Sequence, residues 1–249
     1  MSDENTWDDE NVRGAQLYQQ GRYAEAEQAF RAALEAAEKL GPHDTRVAVV
    51  LNNLASLCHN QRKIEEAQIL YERALAIRRN ALGASHPMVA QSLNNLSSLY
   101  RELGRHSEAE QFSRQAVSIA EGVFGPDHYR ITNCLNNLAA VYMAQERYGE
   151  AEHIFQRTLT IRRRFFGDND VTVATTLSGL AELAQAQAQY TEAELLFRRA
   201  LAIREEQLGA DHPGVATLLE KFAALLRRTA REEEATAMAT RARSIRAKQ

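Results

Sequence analysis

The tetrapeptide Leu51-Asn52-Asn53-Leu54 returns as Leu93-Asn94-Asn95-Leu96 and again as Leu135-Asn136-Asn137-Leu138, each time after 42 residues. Degenerate copies follow in register at Leu177-Ser178-Gly179-Leu180 and Leu219-Glu220-Lys221-Phe222. Two further markers keep that spacing. One is the alanine of a Glu-Ala pair, at Ala67, Ala109, Ala151, Ala193 and Ala235, with Ala26 41 residues before the first. The other is a loop glycine, at Gly41, Gly83, Gly125, Gly167 and Gly209. Three markers in one register make the chain a repeat array. A repeat of this length cannot bury its apolar face alone, so its core must come from stacking neighbours.

Each repeat reads as two helices. In the third, Val89, Leu93, Leu96, Leu99, Tyr100 and Leu103 fall at helical spacing until Gly104 interrupts them. A second stripe follows at Ala109, Phe112, Ala116, Val117, Ile119 and Ala120. Gly125-Pro126 ends that helix, and the next is expected to begin near Asp127. No strand-like alternation occurs, so the class is all-α. With 4 Pro and 12 Gly in 249 residues, collagen-like and linker-dominated architectures are excluded. The register gives six repeats, about 10–46, 47–88, 89–130, 131–172, 173–214 and 215–245. They form one solenoid domain over 10–245, after an acidic segment at 1–9. The end repeats are more polar: Glu10 and Arg13 stand at apolar positions of the first, Glu232 and Ala239 at aromatic positions of the last.

Within a repeat, a small residue and an aromatic lie three apart, as in Ser97 and Tyr100 or Ala139 and Tyr142. Twelve residues after the small one comes the marker alanine, then a bulky residue, then another small one: Ala151, Phe155, Thr158, and Ala193, Phe197, Ala200. This pattern resembles the tetratricopeptide repeat. The Leu-Asn-Asn-Leu openings and the loops Gly125-Pro126-Asp127-His128 and Gly209-Ala210-Asp211-His212-Pro213 look like the 42-residue, kinesin light chain type. The resemblance covers residues 10 to 245. It implies a right-handed superhelical α-solenoid whose first helices line a concave surface that holds peptide segments.

By register, the residues facing that groove are Asn52, Ser56, His59 and Asn60, then Asn94, Ser98, Arg101 and Glu102. Asn136, Ala140 and Met143 follow, then Ser178, Glu182 and Gln185, then Glu220, Arg227 and Arg228. The expected peptide-binding set is Asn52, His59, Asn94, Arg101, Asn136, Met143, Ser178 and Gln185. A carboxamide carries both donors and an acceptor. A row of first asparagines can therefore hold a peptide backbone, or simply be solvated. The second asparagines, Asn53, Asn95 and Asn137, lie nearer the packed face and are expected to bond a neighbouring helix. Only four lysines occur in the chain, so a lysine clamp for chaperone tails is not expected.

The remaining chemistry reads as structural. His86, His128 and His212 share one loop position, and two of them precede proline. A helix-start role fits them better than metal ligation, because equivalent positions in stacked repeats lie about 10 Å apart per helix layer. Cys58 and Cys134 sit in apolar helical patterns and are expected to be buried free thiols. No nucleophile–base set, Walker loop or dinucleotide turn is present, so no enzyme activity and no cofactor or metal is expected. Arg162-Arg163-Arg164 reads as a solvated helix end. A net charge of −3 and the lack of aromatic interleaving argue against nucleic acid. No signal peptide or transmembrane run is visible, which leads to a cytoplasmic expectation without a membrane partner. The expected function is a non-catalytic adaptor that binds a peptide segment of a partner protein. The competing expectation is a scaffold that self-assembles head to tail, with five acids in residues 1–12 meeting a basic tail over 221–249.

Overall fold

The computed structural model describes residues 3–247, which form twelve α-helices and no strand. The chain divides into two compact units, Met1–Pro126 and Asp127–Gln249. The first unit holds α1 (Asp3–Gln19), α2 (Tyr23–Leu40), α3 (Thr45–Asn60), α4 (Ile64–Leu82), α5 (Pro87–Glu102) and α6 (His106–Phe124). The second holds α7 (Thr132–Ala144), α8 (Tyr148–Phe166), α9 (Val171–Ala186), α10 (Tyr190–Leu208), α11 (Pro213–Arg228) and α12 (Glu232–Ala247). Within each unit every odd-numbered helix packs on the even-numbered helix that follows it. That second helix also packs on the next first helix: α2 on α3 and α4 on α5, then α8 on α9 and α10 on α11. The acidic residues from Asp3 onward lie within α1.

Small residues set how closely the helices approach. Ala26, Ala67, Ala109, Ala151, Ala193 and Ala235 are all fully buried. Where the expected aromatic of the third repeat is replaced by Ser113, the vacated space holds a polar contact, Ser97 Oγ to Ser113 Oγ at 2.5 Å. Elsewhere rings fill it. Phe197 and Phe222 stack at 5.7 Å between α10 and α11. Phe155 of α8 lies so close to Gly179 of α9 that a Cβ there would come within 2.6 Å of the ring.

Backbone conformation explains why one glycine marker is strict and another is not. Gly83, Gly125, Gly167 and Gly209 end their helices at φ of 84 to 90° and ψ of 152 to 171°, a region essentially closed to residues with a Cβ. The turn inside each helix pair needs only the ordinary left-handed region. Gly21 and Gly104 share that position with Arg62, Glu146, Ala188 and Ala230, at φ near 60°.

From α3 onward, the starts of the first helices are capped by one repeated position. Asp44 Oδ1 accepts from the Arg46 amide at 2.8 Å and Asp170 Oδ1 from the Thr172 amide at 2.7 Å. At the equivalent sites the imidazole Nδ1 of His86, His128 and His212 accepts from the amide two residues on, at 3.2, 3.2 and 3.0 Å. The shared histidine position is thus an N-cap. In the fourth repeat the expected start near Asp127 is displaced. Residues Tyr129–Ile131 form a 3-10 turn and α7 begins only at Thr132, whose Oγ1 bonds Tyr129 O at 2.8 Å. Among the described residues no helix is long and apolar enough to cross a membrane.

Candidate functional site

The first helix of each pair buries one face and keeps a second face partly open. On α3, Leu51, Leu54, Ala55 and Cys58 are buried while Asn52, Ser56 and His59 are half-buried. On α5 the same alternation buries Leu93, Leu96 and Ser97 and leaves Asn94, Ser98 and Arg101 half-buried. The two open faces are stitched together. Asn95 Nδ2 donates to Asn52 Oδ1 at 2.7 Å, and Asn53 Nδ2 donates to Asn11 Oδ1 of α1 at 2.9 Å. Lower on the same face, His59 Nε2 lies 3.1 Å from Glu102 Oε2, which also meets Arg62 at 3.3 Å. Asn53 and Asn95 therefore do bond a neighbouring first helix, and the partner in both cases is a first-position asparagine. Asn52 is not a freely solvated ladder rung; its oxygen is already occupied.

In the second unit, Asn136, Met143 and Gln185 are half-buried on α7 and α9. Lys221 Nζ donates to Glu182 Oε1 at 2.5 Å, joining the open faces of α9 and α11. Ser178 departs from expectation. It is 4% exposed, and its Oγ lies 3.4 Å from Glu182 Oε1. Its side chain is too short to clear its neighbours, and Gly179 beside it lets Phe155 draw α9 inward. It offers nothing to a ligand at the surface.

The residues that register analysis passed over are arginines of the second helices. Arg162, expected at a solvated helix end, is 2% exposed, as is Arg78. Arg78 NH1 donates to Met88 O at 3.1 Å and Ser92 Oγ at 2.8 Å. Arg162 NH1 donates to Thr172 O at 2.7 Å and Thr176 Oγ1 at 2.9 Å, and NH2 donates to Asn133 Oδ1 at 3.0 Å. With its carboxamide turned as these neighbours require, Asn136 Oδ1 also accepts from Arg162, at 2.8 Å from NH1 and 3.2 Å from NH2. Arg204 donates to Gly214 O at 2.6 Å. Burial lowers the pKa of Arg78 and Arg162 to about 10, because the low-dielectric surroundings disfavour the charged form. The signal was available in the sequence. The dipeptides Ile77-Arg78, Ile161-Arg162, Ile203-Arg204 and Ile245-Arg246 keep the repeat register, each beside a core isoleucine. Of the triple-arginine run, Arg163 pairs with Asp168 at 2.9 Å and Arg164 is exposed.

No curated protein sequence matches the chain. Solved structures with the same fold include BtubC (BKLC) from P. vanneervenii, 24% identical with a TM-score of 0.68 over 89% of each chain. A putative kinesin light chain from Podospora anserina is 24% identical, with a TM-score of 0.60 over 83% of this chain and 97% of that one. A Rap protein, complexed with Competence and Sporulation Factor, is 16% identical, with a TM-score of 0.69 over 98% of this chain and 75% of that one. The tetratricopeptide repeat model matches residues 9–80, 46–122, 104–164, 130–206 and 172–248, so the chain belongs to the tetratricopeptide repeat family.

Proposed function

We propose that the protein is a non-catalytic interaction module that captures a peptide segment of a partner protein on the open faces of its first helices. The observation that carries this reading is the pairing of neighbouring first helices, Asn52 with Asn95 and Glu182 with Lys221. Such pairing turns separate helix faces into a polar surface spanning more than one repeat within each unit, with apolar core directly beneath. In the first unit the contact residues are Asn52, His59, Asn94 and Arg101. In the second they are Asn136, Met143 and Gln185. The Rap protein of like fold is complexed with a factor, which supports an interaction role for a fold of this kind. Head-to-tail assembly is less favoured. In the tail, Arg241 and Arg246 pair with Glu205 and Glu220 at 2.5 and 2.8 Å, and in the head Glu10 pairs with Arg13 at 3.3 Å. Selection from a random-peptide display library, followed by NMR mapping of the selected peptides, tests the reading. It predicts perturbations centred on α3 and α5, or on α7 and α9. Perturbations confined to the second helices would refute it.

A further inference from the structure

Arg162 is a buried cation without an ion-pair partner. The acid that acts on it, Asp170, is spent on capping α9 through the Thr172 amide and hydroxyl at 2.7 and 2.5 Å. Its Nε makes no hydrogen bond. A guanidinium has only donors, and a buried one draws every nearby acceptor toward itself. Here two of those acceptors are carboxamide oxygens, of Asn133 and Asn136, both on α7. An amide whose oxygen is held inward can present only its Nδ2 protons to an approaching group. The exposed Asn133 and half-buried Asn136 thus offer N–H donors, with a positive charge fixed behind them.

We propose that Arg162 is a positioning residue that locks Asn133 and Asn136 oxygen-inward, and so makes this part of α7 a subsite selective for oxygen acceptors. The matching group on a ligand is a backbone carbonyl or a carboxylate, not an ammonium or other donor. This rests on the capture surface described above and supplies its selectivity. The neighbouring repeat provides an internal contrast. Arg204 occupies the same register position, but its partners are Gly214 O at 2.6 Å and Thr175 Oγ1 at 3.4 Å, with no carboxamide to orient. Arg78 in the first unit reaches one amide only, Gln91 Oε1 at 3.3 Å.

The test uses the full chain labelled with nitrogen-15, observing the side-chain amide signals of Asn133 and Asn136. Sodium acetate, N-methylacetamide and methylammonium chloride serve as probes. The two acceptor probes are expected to shift both signals, and methylammonium to leave them in place. A stronger response to acetate assigns the ligand group to a carboxylate, and a stronger response to N-methylacetamide assigns it to a backbone carbonyl. In Arg162→Met the amides should gain rotational freedom, and acceptor binding should weaken about threefold or more, the scale of one hydrogen bond. Arg162→Lys keeps the charge but replaces the rigid planar fork with a compact ammonium whose donors diverge from one point, and should release at least one amide. Arg204→Met should change neither signal. Unaltered amide order and acceptor preference in both Arg162 variants would overturn the proposal, as would an equal response to methylammonium. Because no peptide is used, this result stands apart from the capture reading, which fails only if selected peptides bind elsewhere.

Discussion

Asn95 of α5 donates its side-chain amide to the oxygen of Asn52 on α3 at 2.7 Å, across 43 residues of sequence. Both side chains are half-buried, so the bond is partly shielded from water. Asn95→Ala and Asn52→Ala should each cost about 1 kcal/mol, because each strands the other amide. The double variant should cost less than the sum. Chemical denaturation of the three variants measures the coupling, and additive losses would show that the two amides do not interact in solution.

The N-cap position accepts either Asp or His. His212→Ala should cost about 1 kcal/mol, as cap removal generally does. His212→Asp should retain the cap, since Asp44 and Asp170 perform the same task with shorter bonds. Thermal melts of both variants at neutral pH make the comparison. Equal losses in the two would contradict a capping role.

Glycines separate by what surrounds them. Gly179→Ala drives a Cβ to 2.6 Å from the Phe155 ring and should destabilise the second unit by roughly 1–3 kcal/mol. Gly122→Ala, inside α6 with nothing within 4 Å of the new Cβ, should instead stabilise by about 0.5–1 kcal/mol. Opposite shifts in melting temperature are the expected outcome. A neutral Gly179→Ala would mean that α8 and α9 sit farther apart than the structure has them.

Burial pushes both thiols, Cys58 and Cys134, from 9.0 up to about 11. The neutral thiol is thus favoured in the folded state. An unfolded chain releases these protons near pH 9 and the folded one near 11, so their contribution to stability is complete below pH 9 and lost as pH rises through 11. The Cys58→Ala, Cys134→Ala double variant should lose stability less steeply across that window. Denaturation midpoints against pH follow it, and an unchanged slope would place the thiols in water.

Helix pairing, the number of repeats and the buried alanines were legible in the sequence because they follow from periodicity alone. The N-cap role of His86 and His212 was legible too, since it repeats beside a proline. Other features depend on contacts between repeats. Arg162 looked solvated because a charge at a helix end is exposed by default; only its place beside Ile161, matched at Ile77-Arg78 and Ile203-Arg204, marks it as reaching inward. Ser178 looked open because its register matches Asn136, yet its shorter side chain and Gly179 let the helices close over it. Asn52 looked free because its partner lies one repeat away.

The capture of a peptide on the first-helix faces is tested most directly by calorimetry with a display-selected peptide. Two double variants are compared with the wild-type chain. Asn94→Ala with Arg101→Ala alters the first-helix face. Ile69→Ser with Leu195→Ser alters exposed residues of the second helices α4 and α10. For a peptide mapped to the first unit, the account predicts roughly tenfold or greater loss of affinity in the former, from two lost polar contacts, and unchanged affinity in the latter. Full affinity in the Asn94/Arg101 variant together with loss in the Ile69/Leu195 variant would contradict it.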